Sequence, residues 1–325
     1  MNETVARKGD GRAATLPKPK ERGYMMRLVS DMKREKLLYL MLLPGLLFFV
    51  LFKYLPMLGV VIAFQDYQPF AGILHSPWVG LKHFHRFFMD PDFWMLFKNT
   101  LLLAVYNLLF FFPLPIILAL MLNEVRKHFF KRFVQTIIYI PHFISWVVVA
   151  GLTYTMLTTE GGIVNEALAS LGADKVNFLL STDWFRTLIT SQAIWKETGW
   201  GTIIFLAALA GVDQQLYEAA RMDGASRWQQ LWSVTFPAIR TTIVLLLILR
   251  LGSFLDTGFE QIFLMLNSGN RDVGEVFDTY VYTTGLQNAQ FSYSTAVGVF
   301  KSVVSLILVI SANGLAKRFG EEGVY

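Results

Sequence analysis

Residues 37–55 read LLYLMLLPGLLFFVLFKYL, an apolar run broken only by Lys53. A run of about 20 such residues is what a helix needs to cross the hydrocarbon of a bilayer. Lipid offers no partner to a free N–H or C=O, so a spanning chain must be helical or a closed barrel. Alternating strands of the barrel kind are absent. The chain therefore reads as an all-α polytopic membrane protein with six transmembrane helices. The spacing places them at about 37–55, 100–122, 134–157, 188–212, 241–266 and 294–315. Composition agrees: 54% of the 325 residues are hydrophobic and 16% are charged, against about a quarter charged in a soluble domain. Mean hydropathy is +0.44.

Charge sets the expected orientation. Ten Lys or Arg precede Leu37, four lie in 123–133, three in 213–240 and two near the C-terminus. The alternate loops together hold six. Basic residues collect on the cytoplasmic side, so both termini are expected in the cytoplasm. The net charge of +5 then needs no nucleic acid. The expected organisation is a basic cytoplasmic tail at 1–36, a first span and outer loop at 37–94, and a core of five spans at 95–325. Residues 1–22 have the composition of a disordered tail. Met25, Leu28, Val29 and Met32 have the spacing of a short interfacial helix, which competes with a mobile tail as the reading of that stretch.

The absent chemistry narrows function. There is no Cys, hence no thiolate metal site, disulfide or Cys nucleophile. No GxxxxGK[ST], HExxH or GxSxG occurs, which argues against nucleotide hydrolysis or an intramembrane enzyme. His83 and His85 form an HxH in an outer loop, a weak metal signal, and no metal site is assigned. His142, beside Pro141, is expected to pack or hydrogen-bond.

Charged residues inside spans are costly and face a bundle interior or water. Trp195, Lys196, Glu197 and Trp200 lie in the fourth span; Arg250, Asp256, Glu260 and Gln261 in the fifth; Lys301 in the sixth. Asp256 and Glu260, four apart, would share one helical face. Such aromatic, amide and charged groups suit a hydrated sugar path; the competing reading is pairing between helices. Outside the spans, Val273, Val276, Phe277, Tyr280 and Val281 have the spacing of an amphipathic outer helix that packs on the bundle or lines an outer cavity, with Tyr280 a path candidate.

One connection is dense and polar: LYEAARMDGASRWQQLWSVTFPA, residues 216–238. Asp213 is a candidate N-cap for a helix from Gln214 to about Met222. Gly224 suits the turn that ends it. Ser226 and Gln229 have capping-box spacing for a second helix, on which Trp228, Leu231 and Trp232 share a face. Pro237 falls where the chain re-enters the bilayer. Read physically, the first helix either docks in a partner's groove or lies on lipid.

The order Glu218-Ala219-Ala220, three residues, Gly224, nine residues, Val234, one residue, Phe236-Pro237 resembles the EAA loop of ABC importer permeases. Val234 and Phe236 replace the usual Ile and Leu; Asp223-Gly224-Ala225 matches the common form. Asn99-Thr100, Leu206-Ala207-Ala208 and Asn313 also resemble the binding-protein-dependent permease domain. The stretch LLPGLLFFVLFKYLPMLGVVIAFQDYQPF and the YEAARMDGAS loop resemble polysaccharide and oligosaccharide permeases of the lipoprotein-associated and aldouronate or alginate type. The resemblance implies a type I importer bundle in a bacterial cytoplasmic membrane, paired with a second, non-identical permease. It implies two ATPase subunits that carry ATP and Mg, and an extracytoplasmic solute-binding protein that delivers a carbohydrate. This chain would bind no cofactor. Glu218, Ala219, Ala220, Asp223, Gly224 and Pro237 would couple to the ATPase. An ion-coupled secondary sugar transporter is the alternative, since intramembrane acids also serve proton relays.

Overall fold

The structure is a computed structural model and describes residues 34–318 and Gly320. The basic tail and the expected helix at 25–32 lie outside those residues. The described chain is almost wholly helical; its only extended pairing is a single bridge between Gln65 and Trp78.

Contacts divide the chain into two units, one ending at Gly59 and one beginning at Val60. The first unit is most of helix α1, Lys36–Phe64. Its residues from Lys36 to Leu58 are all exposed. A helix apolar on every side has no polar face to turn to water, and exposure of this kind suits lipid.

The second unit is built from α2 (Lys82–Phe88), α3 (Phe93–Glu124), α4 (His128–Tyr139), α5 (Trp146–Leu157), α6 (Ile163–Ser170) and α7 (Thr182–Ala210). These are followed by α8 (Gln214–Met222), α9 (Arg227–Gly252), α10 (Phe259–Met265), α11 (Phe277–Tyr282) and α12 (Phe291–Arg318). Helices α1, α3, α9 and α12 are each long and apolar enough to cross a membrane, and α4 with α5 passes the same test as a bent pair. Helix α7 has the length, 29 residues, but carries Lys196, Glu197 and several buried polar residues, so it is not among them.

Helices α3 and α7 form the spine. Leu103 of α3 meets Phe185 and Ile189 of α7 with Ile262 and Val276. Further along, Ile116 and Ala119 of α3 meet Phe205 and Leu209 of α7 and Ile239 of α9. A third cluster joins Phe87, Phe93, Phe277, Tyr280 and Tyr293. The apolar face expected of Val273, Val276, Phe277, Tyr280 and Val281 thus packs into the bundle, although the helix there is short and interrupted. Asn99 and Thr100 anchor it: Asn99 Nδ2 donates to the Asp272 and Glu275 carbonyls, and the Thr100 hydroxyl accepts from the Phe277 N–H.

Prolines shape the spans in two ways. Wide turns at Val50–Tyr54, Asn107–Phe111 and Leu231–Thr235 each end two residues before a proline, Pro56, Pro113 and Pro237. Proline lacks an N–H and clashes with the carbonyl four residues back. Shifting one bond to a partner five residues back, as in Phe112 N–H to the Asn107 carbonyl, relieves the clash and lets the helix continue. At Pro141 the helix instead tightens over Ile140–Phe143 and stops. It restarts at the Ser145 N-cap, with a bend of 99°. The span expected as one helix over 134–157 is therefore two.

The span expected over 241–266 is also divided. Helix α9 ends at Gly252, and Gly258, at a φ of 89°, precedes α10. Asp256 sits in the non-helical link and Glu260 in the next helix. They do not share a helical face, because the 3.6-residue period that would align them is broken between them.

Candidate functional site: the 213–238 loop and the polar clusters of the bundle

The 213–238 loop is ordered by its own side chains. Asp213 caps α8, its carboxylate accepting from the Gln215 N–H at 2.9 Å. Helix α8 ends at Met222, and Gly224 adopts a φ of 77°. The Ala225 N–H then donates back to the Ala220 carbonyl, the six-residue closure of a Schellman turn. Both bonds of the Ser226–Gln229 capping box are present. Gln230 Nε2 donates to the Ala225 carbonyl at 2.7 Å, and the Tyr217 and Thr235 hydroxyls are 3.1 Å apart. The loop is thus pinned across both helices.

What it presents is open surface. Glu218, Ala219, Asp223 and Gly224 are exposed, as are Leu216, Met222, Trp228 and Trp232. Trp228 and Trp232 pack edge to face, and Trp232 meets Phe236. Pro237 lies within α9, which runs unbroken from the loop through the wide turn at Leu231–Thr235 to Gly252.

A polar cluster forms where α7 crosses the bend between α4 and α5. Lys196 is 5% exposed. Its Nζ donates to the His142 carbonyl at 2.6 Å and lies 3.0 Å from the Glu197 carboxylate. A carbonyl at a broken helix end has lost its helical partner, and Lys196 supplies one. The other Glu197 oxygen is 2.7 Å from His142 Nδ1. The His142 ring stacks on Trp200, with centroids 4.3 Å apart and planes within 4°. Trp195, Trp200 and Phe143 remain exposed. The cluster therefore has a sealed side, Lys196 and the bend, and an open side where Trp200 and Phe143 meet edge to face beside a mostly shielded carboxylate and imidazole; Trp195, five residues before Trp200, lies on another face of α7. Gly199 permits the crossing: a Cβ there would stand 1.8 Å from the Ile138 carbonyl oxygen.

The other candidates disperse. Arg250 lies over the Phe111 ring. Gln261 is buried and donates to the Ile189 carbonyl and to Gln192, which in turn donates to Thr153. It is a tie among α10, α7 and α5. Glu260 is exposed. Asp256 pairs with Lys301, which also pairs with Asp278. Asp278 carries no sequence signal for this role, because nothing local links it to residues more than twenty positions away.

Tyr280 belongs to a separate network. Its hydroxyl and that of Tyr293 both donate to Asp90, at 3.0 and 2.6 Å, and Arg86 lies over the Tyr293 ring. Burial pushes the Asp90 carboxyl up. Hydrogen bonds from Tyr293, the Asp92 N–H and Tyr280, with Arg86 nearby, outweigh that and hold it below its usual value. In the HxH, His83 is buried with Nε2 3.1 Å from the Gln65 carbonyl, so the fold orients that ring.

Residues 111–321 match the family described as binding-protein-dependent transport system inner membrane component. The polygalacturonan/rhamnogalacturonan transport system permease protein YteP of Bacillus subtilis (strain 168) is 61% identical over 299 residues, covering 92% of this chain and 93% of that one. Protein LplB of the same organism is 55% identical over 323 residues, 99% of this chain and 100% of that one. Among solved structures, a bacterial alginate ABC transporter in complex with an alginate pentasaccharide-bound periplasmic protein has a chain 44% identical to this one. It superposes with a TM-score of 0.84, over 92% of this chain and 100% of that chain. With about two-thirds of its length in the family match and relatives aligned nearly end to end, this chain belongs to the inner membrane components of binding-protein-dependent ABC transport systems.

Proposed function

We propose that this chain is the permease subunit of an ATP-driven carbohydrate importer in a bacterial cytoplasmic membrane, and that its substrates are fragments of acidic polysaccharides. The observation that carries the importer reading is the built loop at 213–238. Its EAA spacing sits on an exposed helix closed by a left-handed Gly224, rigid and continuous with a span. A docking surface of that kind suits an ATPase that moves the bundle, and Glu218, Ala219, Ala220, Asp223, Gly224 and Pro237 form it. The acidic class is supported by the names of the relatives, one a polygalacturonan and rhamnogalacturonan permease, another an alginate transporter.

In this reading the chain crosses the membrane six times, with α7 as the polar fourth crossing and both termini in the cytoplasm. It pairs with a second permease, two ATPases bearing ATP and Mg, and a binding protein outside. The open side of the His142–Glu197–Trp200 cluster lines the path. Aromatic faces meet sugar C–H groups, while the imidazole and carboxylate meet hydroxyls. Lys196 and Gln261 hold helices together. Arg250 and Asp256 remain path candidates nearer the divided fifth span.

The test is reconstitution in proteoliposomes with the second permease, the ATPase and the binding protein. Oligogalacturonides should be taken up only with ATP, and loaded binding protein should raise ATP hydrolysis. Uptake by this chain alone, driven by an ion gradient, would instead establish a secondary transporter.

A further inference from the structure

Beside the coupling helix lies a polar cleft of about 660 Å³. Its walls come from three places: Glu124 at the end of α3 with Arg126 just beyond it, Tyr217 and Arg221 on α8, and Arg227 and Gln230 at the start of α9. Three guanidinium groups and one carboxylate therefore face one space. Among the described residues Glu124 forms an ion pair only with Arg227, at 3.7 Å. Arg126 and Arg221 are exposed and have no ion partner among the described residues. The preference of basic residues for the cytoplasmic side explains their side of the membrane. It does not explain why Arg126 meets Arg221 and Arg227, which come from a loop far along the chain, at one cleft that also offers an amide and a hydroxyl.

We propose that this cleft receives an acidic side chain of the ATPase. The inference rests on the coupling role of the loop and adds the chemistry of the contact. A guanidinium is a planar fork of donors matched to a carboxylate, and the cleft carries an excess of two positive charges over its own carboxylate. It opens beside the exposed face of α8, so a protein seated on that face reaches it. Because α3, α8 and α9 all contribute walls, an inserted carboxylate ties the end of the second span to the loop. The ATPase would then pull on two spans, α3 and α9.

The exposure of Arg221 allows a direct test in the assembled transporter, with the ATPase identified in the wild-type complex. In an Arg221→Lys chain, a carbodiimide should join the new amine to an Asp or Glu of the ATPase, located by mass spectrometry. The double variant Arg126→Glu/Arg221→Glu should weaken ATPase retention about tenfold at low salt, with the gap closing as salt rises. Coupling only to this chain's own Glu321 or Glu322, no coupling, or retention unchanged at every salt concentration would overturn the proposal. A Gly224→Val chain separates the two readings. Loss of ATPase response there, with the arginine variants normal, removes only the cleft; normal behaviour in all of them removes the coupling role itself.

Discussion

Lys196 Nζ donates a 2.6 Å hydrogen bond to the backbone carbonyl of His142, which lies at the bend between α4 and α5. The bond joins two positions 54 residues apart and gives a buried cation a structural task. Replacing Lys196 by Met leaves that carbonyl and one Glu197 oxygen without their donor. An unmet buried polar group costs roughly 1–3 kcal/mol. The Lys196→Met protein in detergent should melt several degrees lower than wild type. An unchanged Tm would mean that water already serves this carbonyl.

Gly199 makes a sharper prediction. A Cβ at 1.8 Å from the Ile138 carbonyl oxygen meets backbone, which cannot rotate away. Gly199→Ala should push α7 off α4 at a cost of about 1–3 kcal/mol, the usual range for overpacking. Gly151→Ala, with nothing within 4 Å of the added carbon, serves as the control and should be tolerated. Comparing folded yields by size-exclusion chromatography decides it.

Gly224 acts through conformation instead of space. At φ 77° with nothing near its Cβ position, it imposes on any β-branched replacement about 1–2 kcal/mol of left-handed strain. Gly224→Val should insert in the membrane at wild-type levels yet lose sugar uptake and stimulated ATP hydrolysis. Gly224→Asn, which tolerates that backbone region, should keep part of both. Wild-type uptake by the Val variant would remove the loop from the coupling mechanism.

Trp200 is expected to matter for transport more than for folding, since its outer face is open and its inner face covers His142. Trp200→Ala should raise the KM for oligosaccharide uptake several-fold, and Trp200→Phe should recover most of it. A Trp200→Ala protein with normal KM would place the path elsewhere.

Asp90 carries a pH dependence. Its folded pKa lies below its ordinary value, so its contribution to stability is fully present above the unfolded pKa and is lost as pH falls through the folded one. Thermal stability of the wild type should therefore drop steeply below about pH 4, the ordinary carboxylate range. Asp90→Asn should start lower at neutral pH and show a flatter acid limb. Parallel curves would show that other carboxylates dominate.

Local devices are legible in the amino-acid order. The Asp213 cap, the Ser226–Gln229 box and the Gly224 turn each depend on residues within about five positions, and each has the expected form. Long-range pairings are not legible in that way. Asp256 and Glu260 have the spacing of neighbours on a helix, but Gly252 ends that helix and Asp256 turns to Lys301. Pro56, Pro113 and Pro237 give the same local signal as Pro141, yet only the last stops its helix; the others are absorbed by wide turns.

The amino-acid sequence alone determined that the chain is a helical membrane protein with one preformed polar loop, because hydropathy, caps and a glycine turn act over a few residues. Only the tertiary structure decided which of the candidate residues are fasteners and which face open space. Lys196 and Gln261 are buried against backbone carbonyls of other helices, whereas Trp200 and the arginines beside α8 are not. That division depends on which helices cross, and at what distance. It arises from close packing between segments far apart in the chain, such as Gly199 against Ile138, and no local pattern encodes it.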